Sequence, residues 1–524
     1  MAKRKREAVK EPPVKSIKKN GVLKAPIPSA AEHVDPNASS SSQETASIQI
    51  VLGSYERALH GFTASIPTTP KKNSSEPQAN FLDTFLFNAH TSSVRCLAIS
   101  PPFGSDDSKV ILASGSTDER INLYQLSTSP PAPQDGPSLP SLSGISTAEN
   151  PKNRELGSLL HHSSSITALY FPTKSKLLSA SEDNTVAIAQ RTQDWTVMST
   201  IKAPIPKAVG RPSGDTLAPG EVPAGVNDFA VHPSMKLMIT VGKGEKCMRL
   251  WNLLTTKKAG VLNFSRELLQ QVGEGKHSSG EGRKIAWDTD GEEYTISFER
   301  GAVVYGLDSK PRAVIIPAPR TKIHQIHYVP GTTAPLLAVS TEDGRIVFYA
   351  TQVSAPEDDT DKNTNNNTTN DDDDDDAKLP ECRPVAELGG RAAGIAGRIK
   401  DFEIISHDTG SSAGEARSYS VIAGSSDGAV RIWSVGRKEL DAKISGGGEV
   451  ETAEANGEDP GDEEEAGEEG VGMGVGVLVG TYETGHRITC LKAFLMTGRS
   501  AEAGGQAVDV VDDDAPGDES SVSE

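Results

Sequence analysis

The chain has 524 residues, a net charge of -19 and 35% hydrophobic residues; even with its glycines added it stays below the roughly 45–50% of average globular chains, so part of it lies outside any core. Its 49 glycines and 33 prolines disfavour long helical bundles, and no apolar run approaches the ~20 residues of a membrane helix. The charge sits on appendages: residues 1–24 hold 9 basic and 2 acidic side chains, 357–376 hold 1 and 10, 449–469 hold 0 and 11, 502–524 hold 0 and 8, and the remaining 436 residues are left at +2.

In chain order, the basic start comes first. Lys3, Arg4, Lys5 and Arg6, then Lys15, Lys18 and Lys19, form two clusters around a proline-containing spacer, the pattern of a two-part nuclear import signal and of a phosphate-binding tail. No apolar stretch follows, so no secretory signal is predicted. Residues 48–62 (IQIVLGSYERALHGF) then read as a hairpin: two alternating apolar strands around a tight turn.

From residue 94 a unit recurs, in which a short strand is followed by a hairpin. The strands are 94–99, 166–171, 226–231, 283–287, 322–328 and 397–405; the hairpins are 110–126, 176–190, 236–253, 293–307, 336–350 and 419–435. Asp343-Gly344 and Asp427-Gly428 supply the positive φ that tight hairpin turns require, and Asp or Asn side chains bond their own backbone. A last strand, 487–494, has no hairpin after it, and the first hairpin has no strand before it. If each unit is an inner strand, a hairpin and an outer strand, the orphans complete each other. The fold class that follows is all-β: a seven-bladed propeller closed by its N- and C-terminal strands, each blade burying both faces against its neighbours.

Ser-x-Asp turns, Trp251 and Trp433, and a histidine ahead of the inner strand at His90, His162 and His486 resemble the WD-repeat propellers. Tyr124, Ile188 and Tyr349 stand where that pattern has tryptophan, and the unit from Arg283 lacks the Asp turn. More narrowly, G-S-Y-E-R-A-L-H-G-F at 53–62, A-H-T-S-S-V at 89–94, S-G-S-T-D-E-R-I-N-L-Y at 114–124, H-H-S-S-S-I-T-A-L-Y-F at 161–171 and H-P-S-M-K-L at 232–237 resemble the p21-activated kinase-interacting protein 1-like family, over residues 48–496 with interruptions. In WD-repeat proteins such residues form buried hydrogen-bond networks, so the resemblance assigns His90, Asp118, His162, Asp183, Trp251, Asp343, Asp427, Trp433 and His486 to a structural network.

Around the propeller, residues 1–47 are expected to be a disordered basic tail and 497–524 a disordered acidic one. Insertions near 65–80, 128–153, 205–223, 353–381 and 441–474 are too rich in Pro, Gly, Ser, Asn and acid to offset chain entropy of ~1–2 kcal/mol per residue. The acidic runs read first as solubilising spacers and second as docking sites for basic proteins. Cys96, Cys247, Cys382 and Cys490 have no paired spacing and read as free thiols.

Chemistry is sparse. No H-E-x-x-H, C-x-x-C or G-x-x-x-x-G-K-[ST] occurs, and the glycines of 470–480 lack the spacing of a nucleotide loop. Asp358, Asp359 and Asp361 open like a calcium loop without its sixth-position Gly or twelfth-position Glu. No enzyme activity, metal or cofactor is expected. The family's fungal members are large-subunit assembly factors, so the resemblance implies a nuclear and nucleolar scaffold for 60S assembly and rRNA processing. Its partners would be assembly factors and ribosomal proteins of pre-60S particles, with precursor rRNA reached indirectly, no membrane, and a monomer within a larger complex. The resemblance also implies a second function, binding and inhibiting a p21-activated kinase.

Overall fold

The computed structural model describes residues 45–68, 78–101, 108–130, 150–205, 224–275, 278–352, 378–395, 397–408, 417–445 and 473–497, all within a unit spanning Glu44–Glu524. The import clusters and the acidic tail lie outside the described residues.

Seven four-stranded antiparallel sheets account for the strands. Blade 1 is typical: inner strand Val94–Ile99, hairpin Lys109–Ser116 and Ile121–Ser127, outer strand Arg154–Leu159. Blades 2 to 6 repeat it, with inner strands Ile166–Thr173, Val226–Val231, Lys284–Trp287, Ile323–Tyr328 and Ile399–Asp408. Blade 7 is assembled from both ends of the unit. Its inner strand Ile488–Leu495 pairs with Thr45–Ser54, Ile48 opposite Leu495 and Gly53 opposite Cys490, and Ala58–Pro67 and Asn80–Asn88 complete it. Each inner strand touches the inner strands of both neighbours, 488–495 meeting 399–408 on one side and 94–99 on the other. The ring is closed.

The two-residue period of a strand explains how one strand serves two interfaces. Ile48, Ile50 and Leu52 pack with Ile422, Val430 and Ile432 of blade 6, whereas Val51 and Leu59 pack with Val94, Leu97 and Leu112 of blade 1. Both faces of the hairpin are therefore apolar, and all these side chains are at most 4% exposed. At the seam the backbone of Gly53 passes so close that a Cβ there would lie 2.5 Å from Cys490 Sγ and 2.7 Å from Val94 Cγ1.

The tight turns share one backbone conformation. Gly344 and Gly428 have φ of 84° and 92°, and at the same turn position Glu119 and Asn184 reach 68° and 61°. These turns, with the loops leading into each inner strand, mark what we call the turn end of the ring. The opposite, loop end carries the links between first and second and between third and fourth strands of each blade.

Three segments differ from the sequence expectation. Strand Ala58–Pro67 runs on into the stretch expected as insertion from 65. The stretch expected as loop from 441 begins as a helix, Arg437–Ile444, whose Leu440 is 1% exposed. An Arg437–Asp441 pair steadies that helix, and the Arg383 guanidinium caps its last carbonyls at 3.2 and 2.8 Å, satisfying groups that have no partner within the helix. A second short helix, Arg266–Gln271, lies between blades 3 and 4, with Ser265 Oγ accepting from Leu268 N at 3.1 Å. Its Leu268 and Leu269 join the blade 4 core. All four cysteines are free thiols.

Candidate functional site

Blades 1 and 2 carry the same three-residue relay. His90 bonds Asp118 through Nδ1 at 3.2 Å and Ser114 Oγ through Nε2 at 2.8 Å. His162 bonds Asp183 at 3.0 Å and Ser179 Oγ at 2.8 Å. The order Ser-His-Asp is that of a hydrolase triad. A nucleophile must meet a substrate, and Ser114 and Ser179 are 0% and 1% exposed. The relay instead ties the loop before the inner strand to the hairpin: Asp118 also accepts from Thr91 N at 2.9 Å, and Asp183 from Ser163 N at 3.1 Å and Thr185 Oγ1 at 2.6 Å. Burial pushes the Asp183 carboxyl up, but the His162, Thr185 and Ser163 hydrogen bonds outweigh it and hold the pKa well below the ordinary carboxylate range. Burial lowers the pKa of His90 against the pull of Asp118.

The other named positions are distributed differently. Trp251 Nε1 donates to Thr240 Oγ1 at 2.9 Å in blade 3, where Glu245 and Arg249 pair in place of His and Asp. Asp343 accepts from Thr341 and, at 2.7 Å, from Arg345, which also reaches Glu387 at 3.1 Å. Asp427 accepts from Ser425 and from Ala429 N at 3.0 Å, and Trp433 is 5% exposed in the blade 5–6 core. Among the described residues His486 joins no Asp: the turn of its own blade is Ser54-Tyr55-Glu56-Arg57, and its backbone N–H bonds Thr484 Oγ1 at 3.2 Å. Blade 7 has its own device, in which Asp83 bonds His60 Nε2 at 2.7 Å and accepts from Tyr482 OH of blade 6 at 2.6 Å.

The inner strands line a channel of about 1180 Å³, crossed by polar bonds from blade to blade. Asp228 accepts from Ile285 N at 3.2 Å and lies 3.7 Å from Lys284 Nζ. Asp401 accepts from Leu491 N at 2.9 Å and from Gln325 Nε2 at 3.1 Å, and Lys492 meets Glu403 at 2.5 Å. Burial pushes the Asp228 and Glu403 carboxyls up, and Glu403 with Asp401 raises Lys492 despite its burial. The sequence does hold a signal for Asp228 and Asp401: each is the third residue of an inner strand, after Val226-Asn227 and Ile399-Lys400.

The relay serines are buried, and polar bonds at the channel wall tie one blade to the next. Residues 81–125 and 153–188 match the WD domain, G-beta repeat model. The chain is a WD40-repeat propeller. It aligns at 28% identity over 418 residues with Protein MAK11 of Saccharomyces cerevisiae, covering 75% of this chain and 78% of that one. With the p21-activated protein kinase-interacting protein 1-like of Xenopus laevis it shares 26% over 305 residues, 58% of this chain and 62% of the other. With human p21-activated protein kinase-interacting protein 1 it shares 23% over 302 residues, 58% and 59%. It is homologous to these proteins, and spans less than two thirds of the two kinase-interacting ones. Among the described residues no helix is long and apolar enough to cross a membrane, and no His, Cys, Asp or Glu group has the makings of a metal site.

Proposed function

We propose that this protein is a non-catalytic scaffold in the nuclear and nucleolar assembly of the large ribosomal subunit, including pre-rRNA processing. The observation that carries the reading is the 418-residue alignment with a yeast protein, taken with the resemblance to a family whose fungal members build that subunit. The closed ring supports it: stiff blades offer fixed surfaces for assembly factors and ribosomal proteins, and the relays hold those surfaces in place. Lys3, Arg4, Lys5, Arg6, Lys15, Lys18 and Lys19 would direct import, and the named His, Asp and Trp residues would act as structural supports. A second reading, regulation of a p21-activated kinase, is favoured by the printed names of the Xenopus and human relatives.

Affinity purification separates the two. Precursors of the large-subunit rRNA and pre-ribosomal proteins should co-purify, and their levels should change on depletion. Recovery of a kinase alone would defeat the assembly reading. Removing residues 1–24 should move a fluorescent fusion toward the cytoplasm, and unchanged nuclear accumulation would refute the import assignment.

A further inference from the structure

The turn end of blades 4 to 6 gathers cations that are remote in sequence. A pocket of about 310 Å³ there is lined by Arg300, Arg320, Lys322 and Arg391, with Glu342 and Asp343 beside them. Next to it, Arg283 and Lys400 line the channel, and Arg398 stands close by on Glu342. The nearby carboxylates are already engaged: Glu299 by Lys322 at 2.8 Å and Arg283 at 3.7 Å, Glu342 by Arg398 at 3.2 Å, Asp343 by Arg345 at 2.7 Å. Arg300, Arg320, Arg391 and Lys400 have no ion-pair partner among the described residues, and the three arginines are exposed. His324 senses this field: burial and the charges of Lys400, Arg398, Arg283 and Lys322 push its pKa down to about 4, and its Nε2 is buried without a hydrogen-bond partner.

We propose that this sector binds the phosphate backbone of RNA directly, with Arg300, Arg320 and Arg391 as the principal phosphate contacts and Lys400, lining the channel, as a fourth. Two observations choose RNA over an acidic protein. Protein interfaces draw their energy from buried apolar and aromatic anchors, and among the described residues no exposed large hydrophobic side chain falls between Leu307 and Met473, the stretch that supplies the whole of blade 5 and most of blade 6. Phosphate binding needs only charge, through release of counterions. Arginine also holds phosphate by two parallel hydrogen bonds. The strongly acidic tracts reinforce the choice by position: 357–376 and 449–469 fall in links between third and fourth strands, and 502–524 follows the end of an inner strand, so all three are rooted at the loop end, opposite the cationic sector. The inference rests on the assembly reading only for which RNA is met.

The test uses the purified full chain and a fluorescein-labelled RNA hairpin, titrated by anisotropy between ~50 and ~200 mM salt. The triple variant Arg300→Ala, Arg320→Ala, Arg391→Ala should bind at least about tenfold more weakly and flatten the slope of log K against log salt by about 2–3, the share of three phosphate contacts. These side chains are exposed, so an unchanged melt confirms that the variant is folded. Unchanged RNA affinity in the triple variant overturns the assignment, as does loss of binding only in the tail variant Lys15→Ala, Lys18→Ala, Lys19→Ala. A polyglutamate peptide binding as tightly, with the same dependence on the arginines, would show a surface that reads a protein's carboxylates and would also overturn it. Arginine-dependent RNA binding without recovery of large-subunit precursors from cells sinks the assembly reading and leaves this one standing. Recovery of precursors with no arginine-dependent binding does the reverse.

Discussion

Leu491→Ala tests the closure of the ring at a fully buried point of the seam. Leu491 is 0% exposed and packs with Ile48 and Ile50 of its own blade and Ile422, Val430 and Ile432 of blade 6. The substitution deletes three carbons, worth about 2.4 kcal/mol of transfer free energy at ~0.8 kcal/mol per methylene. Its surroundings are strands fixed on both sides and cannot collapse onto the gap, so the cavity adds to that figure and the total should reach about 3–4 kcal/mol. Against a stability of ~5–15 kcal/mol, such a loss is large. Urea titration should show the midpoint fall with the slope unchanged. Amide exchange across Ile488–Leu495 should be as slow in the unmutated protein as in the inner strands of blades 2 and 3. A cost below about 0.5 kcal/mol, or exchange at the rate of a frayed terminus, would show that the last strand is an accessory, and the reasoning about closure would fail.

Three other outcomes are expected. Gly53→Ala forces a methyl against Cys490 and Val94 across the same seam and should cost about 1–3 kcal/mol by chemical denaturation; a neutral result contradicts the packing there. Asp183→Asn should cost about 1–3 kcal/mol near neutral pH through its disrupted hydrogen bonds. Because the folded pKa of Asp183 lies below its unfolded value, its contribution is present above about pH 4 and fades as the pH falls toward the folded value, so wild type and variant should converge in acid melts. His90, His161 and His324 are held neutral, their pKa values lowered foremost by burial, to about 4 for the latter two. The unfolded chain takes up those protons near pH 6.5, so the melting temperature should begin to drop between pH 7 and 5; a flat profile over that range refutes it.

The hairpins were legible because their turns and alternation are local. Thr-Glu-Asp-Gly at 341–344 and Ser-Ser-Asp-Gly at 425–428 name a turn without reference to anything distant, and an inner strand precedes each hairpin but the first. Outer strands left less trace: Trp195–Lys202 and Lys257–Asn263 are largely exposed, so their residues are free of the pattern burial imposes. The helix at 437–444 hides for another reason, since its anchors are Leu440 and an arginine 54 positions earlier, Arg383. The WD-repeat resemblance named the histidines and aspartates of blades 1 and 2 but not the serines that His90 and His162 bond, because a buried serine on a strand looks like any other. The cationic sector was invisible: Arg283, Arg300, Arg320, Arg391 and Arg398 spread over more than a hundred positions, and only the return of each outer strand to the turn end brings them together.

The pairing of 45–54 with 488–495 also sets a timetable for synthesis. The earliest strand of the unit leaves the ribosome with its lasting neighbour more than 430 residues away, and at roughly 5–20 residues per second that wait is about 20 to 90 s. For that interval an apolar edge has no permanent mate, exposed to every other nascent chain nearby. Holding factors that shield such an edge, or a translation pause late in the message, should change the yield of native protein more than any alteration to the middle blades.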